Sequence, residues 1–287
     1  MNLPSITDSP IGVFDSGMGG LTVLRELIRH LPNERFIYVG DTARVPYGSR
    51  SPETIRRYST EIGQYLLKQK VKFIVIACNT STAHAGELLK QSLNVPVLGV
   101  IQPGVDALIK TEISRALNNN TEQTVVGVIG TRSTIKSGAY KDLIQQKQQS
   151  WQVISKPCPL FVPLIEEGWT NNDVTDSVIR QYLQELVDMG VSSVILGCTH
   201  YPLLKPALKR VYPDLELVDS SIEVALNVQA ELERLSLKSH ETNSDLKKNP
   251  TARILLTDIT DHDTFLKDIF LGIDIDIEEL PIDQLKS

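Results

Sequence analysis

The sequence predicts an α/β fold of two similar domains with mostly parallel sheets. Short apolar runs of strand length alternate with helical stretches along the chain, which is the pattern of β-α-β units. The run 73–77 leads directly into Cys78, and the run 193–196 leads through one glycine into Cys198. This repeated order of strand, cysteine, polar side chains and helix, 120 residues apart, indicates two related halves.

The first half contains four apolar runs that we interpret as strands, at 11–16, 36–41, 73–77 and 95–100. A glycine-rich turn at 17–20 precedes an amphipathic helix that ends near Leu31, and 42–50 is a loop. Ser51 is a suitable N-cap, with Pro52 in the first turn, for a helix to about residue 69. Further helices are expected at 80–93 and from Pro103 to a polar turn at 118–120.

The second half starts the alternation again, with strands expected at 125–130, 151–155, 193–196 and 215–218. One helix should run from Thr131 to about 147, and a short apolar helix should end near 166–168. Longer helices are expected at 173–189, from Tyr201 to before Pro213, and at 222–235. The polar stretch 238–251 is interpreted as a loop or frayed insert, and strand, helix and strand at 254–256, 265–270 and 273–277 close the chain.

We therefore expect one domain to contain residues 102–218 and the other to contain 1–101 together with 219–287. In open α/β sheets, ligands bind beyond the carboxyl ends of the strands. Two domains also commonly enclose a ligand between them. The active site is therefore expected in the cleft between the domains.

Composition restricts the class of protein. The chain has 287 residues, 41% of them hydrophobic, and a net charge of −6, with no basic cluster that would indicate a nucleic-acid surface. Its apolar runs are far shorter than a membrane span, and its polar first ten residues do not resemble a signal peptide. Three cysteines without disulfide-type spacing favour a reducing compartment, so we expect a cytoplasmic protein.

The glycines at 17–20 match neither common nucleotide-binding pattern. The dinucleotide fingerprint would need a third glycine where Thr22 stands, and a P-loop would need a lysine that is absent. We interpret this segment as a tight turn whose backbone N–H groups face an anion such as a carboxylate.

Cys78 and Cys198 each lie where a strand passes into a helix. A lone buried cysteine is most often a small core residue, but a helix N-terminus lowers a thiol's pKa and favours the thiolate. Two matched occurrences favour a chemical role. Cys158, between two prolines, lacks this setting and is interpreted as structural.

Three kinds of chemistry need paired thiols. A redox pair usually has the spacing Cys-x-x-Cys, which is absent, and a zinc site would need clustered ligands, which only Cys198 and His200 approach. Acid–base catalysis needs one thiol on each face of a substrate, one to remove an α-proton and one to supply a new proton. A binding protein that has lost its chemistry is a further alternative.

Seven stretches of this sequence resemble the cofactor-independent aspartate/glutamate racemase family. They lie at 12–20, 40–48, 77–80, 128–131, 158–164, 196–202 and, more weakly, 256–258. The resemblance implies two similar α/β domains around a closed cleft. It also implies an enzyme that interconverts L- and D-glutamate without cofactor or metal and supplies D-glutamate for bacterial peptidoglycan. Racemisation of aspartate is the alternative, and a homodimer is expected.

The same resemblance assigns roles to residues. Cys78 and Cys198 are the implied acid–base pair, with Cys198 deprotonating L-glutamate and Cys78 deprotonating D-glutamate. Asp15 would assist Cys78 or bind the substrate ammonium, His200 would tune Cys198, and Glu166 is a weaker candidate partner for His200. The expected substrate contacts, with Thr131 added as a neutral donor, are Asp15, Ser16, Tyr47, Gly48, Asn79, Thr80, Thr131, Thr199 and His200. The alternatives are that Asp15 only caps a helix, that His200 is a buried structural histidine, and that Glu166 is a solvated helix end.

Overall fold

The computed structural model describes residues 6–116, 124–240 and 251–286. In these ranges ten strands are present: β1 Ile11–Asp15, β2 Phe36–Gly40, β3 Phe73–Ile76, β4 Val97–Gly99, β5 Val125–Gly130, β6 Gln152–Pro157, β7 Ser193–Gly197, β8 Glu216–Val218, β9 Ala252–Leu256 and β10 Ile277–Glu279.

The helices connect these strands. They are α1 Leu21–His30, α2 Pro52–Lys68, α3 Asn79–Ser92, α4 Ile101–Ala116, α5 Arg132–Lys136, α6 Ala139–Lys147, α7 Phe161–Glu166, α8 Asp173–Asp188, α9 Lys205–Val211, α10 Ser221–Arg234, α11 Asp261–Phe270 and α12 Asp283–Lys286. Short 3₁₀ turns lie at Ile6–Asp8, Thr42–Arg44, Tyr47–Ser49 and Tyr201–Leu204.

The strands form two sheets in which every described pair is parallel. The first sheet has the order β10-β9-β2-β1-β3-β4, and the second has the order β6-β5-β7-β8. Four strands of the first sheet, β2-β1-β3-β4, have the same order as the whole second sheet. The predicted fold of two similar parallel-sheet halves is therefore confirmed.

The central strands are buried on both faces. Every residue of β1, β2, β3 and β7 is buried, as expected when helices cover both sides of a parallel sheet. Helix α1 buries its apolar face, and α10 packs against both α1 and α4. Because α4 in turn lies on β7, α10 joins the helical layers of the two sheets.

The strand order explains where a site should form. In each sheet, the second strand in chain order lies on one side of the first strand, and the third strand lies on its other side. This reversal of direction is a topological switch point. These points lie between β1 and β3 and between β5 and β7. Ligands bind at such points in open α/β sheets, beyond the carboxyl ends of the strands. Cys78 follows β3, and Cys198 follows β7.

Some predicted elements differ from the structure. The expected helix 131–147 is two helices, because Gly138 adopts a left-handed φ of 75° between α5 and α6. The strand expected at 273–277 is wrong, since β10 begins only at Ile277. The expected helix from Tyr201 begins as a 3₁₀ turn before α9. The predicted turn at 118–120 and most of the polar stretch 238–251 lie outside the described residues.

The two sheets take their strands from the ranges that the predicted domains contain. The boundaries at 101/102 and 218/219 themselves stay a prediction. In the described part of the chain, no helix is both long and apolar enough to cross a membrane.

Candidate active site

A cavity of about 450 Å³ lies between the carboxyl ends of the two sheets. Its volume suits a small molecule. Both Cys78 and Cys198 line it, one from each sheet. Of the other residues singled out from the sequence, it is lined by Ser16, Tyr47, Gly48, Asn79, Thr80, Thr131, Glu166, Thr199 and His200.

Cys78 is the N-cap of α3. Its Sγ accepts a hydrogen bond from the backbone N–H of Ser81 at 3.4 Å and lies 3.7 Å from Ser16 Oγ. Burial, and next the negative charge of Asp15, raise the pKa of the Cys78 thiol to about 11, although the bonds with Ser81 and Ser16 act in the opposite direction. Cys78 is therefore a protonated thiol at neutral pH.

Asp15 is fully buried at the end of β1 and is not among the residues that line the cavity. Its Oδ2 accepts a hydrogen bond from Gly17 N at 3.0 Å. Burial raises the pKa of Asp15 above its ordinary value, and the positive charge of His200 and nearby backbone N–H groups offset only part of this rise. The negative charge of this carboxylate acts on Cys78, and contact between Asp15 and the substrate stays a prediction.

Cys198 belongs to a chain of three polar groups. Its Sγ lies 3.9 Å from His200 Nδ1, and His200 Nε2 lies 3.0 Å from Glu166 Oε1. Burial alone would lower the pKa of His200, but the contacts with Cys198 and Glu166 outweigh it and raise that pKa to about 10. A protonated His200 donates to both neighbours and stabilises negative charge on the sulfur.

Tyr47 and Gly48 come from a loop that packs across the cavity. The Tyr47 hydroxyl donates to the carboxylate of Asp41, which also binds Arg44 at 2.7 Å and Thr257 at 3.1 Å. Thr257 lies in the weak sequence match at 256–258, so that stretch helps to hold this loop in place. A Cβ on Gly48 would lie only 2.8 Å from Thr131 Cβ, so the loop needs glycine to reach α5.

Hydroxyl and amide groups connect the ends of the two sheets. Thr80 Oγ1 lies 3.1 Å from Thr131 Oγ1 and 3.0 Å from Thr134 Oγ1. Asn79 Oδ1 accepts a hydrogen bond from the Tyr140 hydroxyl at 2.6 Å. These contacts fix the orientation of neutral donors that line the cavity.

The glycine turn at 17–20 serves close packing. A Cβ on Gly19 would lie 2.3 Å from His200 Nδ1 and 2.4 Å from Thr199 Oγ1, and one on Gly20 would lie 2.5 Å from Asp15 Cβ. The N–H of Gly17 binds an anion inside the protein, the carboxylate of Asp15. The turn therefore brings the first sheet into contact with the residues that follow Cys198.

Arg132 lines the cavity but is not among the residues that the sequence analysis predicts for the site. It is exposed in the first turn of α5 and is the one lysine or arginine among the described residues that line the cavity. Its position directly after Thr131, in a matching stretch, was the available signal. Cys158 is fully buried in the hydrophobic core and is not among the lining residues.

Comparison with known proteins identifies the family. The sequence profile of the Asp/Glu/hydantoin racemase family matches residues 11–226. The chain belongs to this family. It is an amino-acid racemase, and the resemblance seen in its motifs is confirmed.

Similar proteins cover most of the chain. A glutamate racemase of Persephonella marina is 43% identical over 96% of this chain and 98% of its own length. One of Geobacter metallireducens is 50% identical over 75% of this chain and 77% of its own length. The crystal structure of glutamate racemase from Francisella tularensis in complex with D-glutamate is 36% identical and superposes with a TM-score of 0.85, covering 97% and 98% of the two chains.

Proposed function

We propose that this racemase interconverts L- and D-glutamate by a two-base mechanism that uses Cys78 and Cys198. The observation that carries the proposal is that two free thiols line one cavity, each after a central strand of a different sheet. The named similarity to glutamate racemases, one of them with bound D-glutamate, supports glutamate as the substrate.

In the direction from L-glutamate, Cys198 acts as the base. Its thiolate, stabilised by the protonated His200, removes the α-proton, and the thiol of Cys78 delivers a proton to the opposite face of the α-carbon. The products are D-glutamate, a Cys198 thiol and a Cys78 thiolate. From D-glutamate the two groups exchange roles, and Cys78 is then the base.

The residues around the thiols have distinct parts in this proposal. Neutral donors, among them Ser16, Asn79, Thr80 and Thr199, together with the N-termini of α3 and α5, bind the carboxylates. Arg132 adds positive charge near the substrate. Asp15, which is absent from the cavity wall, assists Cys78 through its charge.

Glutamate is preferred to aspartate in this proposal. The two differ by one methylene, which a pocket distinguishes by only about 1–3 kcal/mol. Fixed donors increase the difference, because a shorter side chain leaves buried donors unpaired. We expect kcat/KM for glutamate to exceed that for aspartate by at least about 10²-fold.

The test is to replace each cysteine and follow both enantiomers of glutamate and aspartate by circular dichroism. C78A and C198A should each lower racemisation by at least about 10²–10⁴-fold, because one face then lacks its proton donor or acceptor. C158A is the matched control and should keep near-normal turnover. Activity within a few fold of wild type in C78A or C198A would refute the mechanism, and faster turnover of aspartate would refute the substrate.

The wider role follows from this activity. We propose a cytoplasmic homodimer that works without cofactor or metal and supplies D-glutamate for bacterial peptidoglycan. Loss of activity on dialysis against a chelator, restored by zinc, would contradict the cofactor-free mechanism. A strain that lacks this enzyme should need external D-glutamate to grow.

A further inference from the structure

Helix α11 contacts the His200–Glu166 pair, although none of its residues lines the cavity among those described. The ring of Phe270, at its C-terminal end, lies edge-on to the ring of His200 with centroids 5.0 Å apart. Near its N-terminal end, His262 Nε2 lies 2.8 Å from the backbone oxygen of Glu166. One helix from the C-terminal part of the chain therefore touches both members of the pair.

Glu166 needs such support because of where it lies. It is the last residue of α7, a helix of six residues, and its side chain is 42% exposed. Carbonyl groups in the last turn of a helix have no partner within the helix, so they are available to other donors. The hydrogen bond from His262 satisfies the Glu166 carbonyl. It thereby holds the backbone of Glu166 in place, and with it the start of the side chain that reaches His200.

His262 is itself held in place. Thr260 and Asp263 form a capping box at the start of α11, with Thr260 N donating to Asp263 Oδ2 at 2.6 Å. The His262 ring also lies 5.3 Å from the ring of Phe265, and a Cβ on Gly168, just after α7, would lie 3.4 Å from Phe265 Cζ. The imidazole therefore contacts α7 from a well-anchored helix end.

We propose that His262 is a positioning residue for the racemisation: it fixes Glu166, Glu166 orients His200, and His200 activates Cys198. The inference rests on the proposed acid–base role of Cys198. Helix α11 then takes part in only one of the two proton transfers. Among the described residues, His262 has no contact with the surroundings of Cys78.

The readout must separate the two proton transfers. L- and D-glutamate have equal free energies in water, so kcat/KM is equal in both directions for every variant. Primary isotope effects measured with α-deuterated substrates need not be equal in the two directions. When the Cys198 step becomes slower, the isotope effect from L-glutamate should rise, while that from D-glutamate, which reports the Cys78 step, should fall.

The experiment compares H262A, H262Q and T264A. H262A loses a hydrogen bond and should lower kcat/KM by about 3- to 10-fold, with isotope effects that move in opposite directions. H262Q retains an N–H donor and should restore most of the activity and both isotope effects. Thr264 is exposed on the same helix, so T264A should behave as wild type. His262 is also exposed, which favours a folded variant.

Two results would overturn the inference. One is unchanged kinetics in H262A. The other is an equal loss in H262A and H262Q with isotope effects that change alike in both directions, which would indicate a purely structural contact. C198A keeps the two proposals apart: if C198A is inactive while H262A is normal, only the role of His262 is wrong. If C198A remains active, the two-cysteine mechanism itself is wrong.

Discussion

Cys78 and Cys198 have similar sequence contexts but different electrostatic surroundings. Cys78 lies near the buried carboxylate of Asp15 and is held protonated, with a pKa raised to about 11 by burial and by that charge. Cys198 lies beside His200, whose proton is retained by Glu166. One side of the cavity therefore carries a thiol whose pKa is raised, and the other carries a sulfur 3.9 Å from the imidazole of His200, an asymmetry that fits the proposed roles of the two cysteines.

His200 should make stability depend on pH. Its pKa in the folded protein is about 10, raised from an ordinary value of 6.5. The protonated imidazole therefore stabilises the folded state fully below about pH 6.5, and this contribution is lost as the pH rises through about 10. In denaturant unfolding, the free energy of unfolding should fall with pH across this window. H200N should show a weaker decline, and parallel curves for the two proteins would contradict the raised pKa.

Arg132 should affect how fast substrate is captured. Glutamate carries a net negative charge, and attraction between exposed charges weakens as salt shortens the Debye length to about 8–10 Å. R132Q should lower kcat/KM by about 3- to 10-fold, equivalent to about 1 kcal/mol, and should reduce its dependence on ionic strength. R132K should keep that dependence. R180Q, an equal charge change on α8 away from the cavity, is the control, and an equal effect of R180Q would indicate only net charge.

At the scale of elements, the β1–α1 turn sets the position of the residues after Cys198. In G19A the new Cβ would lie 2.3 Å from His200 Nδ1, so His200 or the turn must move. A misplacement of about 1 Å can lower a rate about 10²-fold, and we expect a loss of that order in kcat/KM. G86A makes the same change within α3, where the nearest atom is 3.7 Å away. It should retain activity and stabilise the protein by about 0.5–1 kcal/mol. Normal activity in G19A would show that the turn adapts freely.

The elements also show what the sequence could predict. Parallel strands buried on both faces give continuous apolar runs, so the strands that precede Cys78 and Cys198 were placed correctly. The break at Gly138 was missed because the sequence around it continues a helical pattern on both sides. The final strand differs because residues 273–277 alternate isoleucine and aspartate, a strand-like pattern, whereas β10 begins only at Ile277.

The sequence predicts only part of the site, because some of its contacts join residues that are far apart in the chain. Cysteines at strand ends are a local signal, and the strands that carry them lead to a shared cavity. His262 is 96 residues from Glu166, whose backbone oxygen it contacts, and Phe270 is 70 residues from His200, so no local pattern marks either residue. Likewise, nothing in the sequence shows that Asp15 is buried and absent from the cavity wall.

At the scale of the whole molecule, the two sheets meet through polar contacts as well as apolar packing. Thr22 Oγ1 donates to the backbone oxygen of Thr199 at 3.1 Å, and Thr80 lies within hydrogen-bond distance of Thr131. Each contact joins an element of the first sheet to one of the second. A ligand in the cavity adds further contacts to both sides, so its binding should couple the two halves.

This coupling can be measured with a variant that binds glutamate without converting it. In C78A/C198A, D-glutamate at about 100 times its Kd should stabilise the folded state by about 2.7 kcal/mol. Hydrogen exchange should slow both at the start of α3 and in the turn Tyr201–Leu204, because each follows a strand that ends at the cavity. Aspartate at the same concentration is the control and should protect both segments less. Protection confined to one segment would mean that the ligand binds one half alone, and a mechanism with one thiol on each face of the α-carbon would then lose its structural basis.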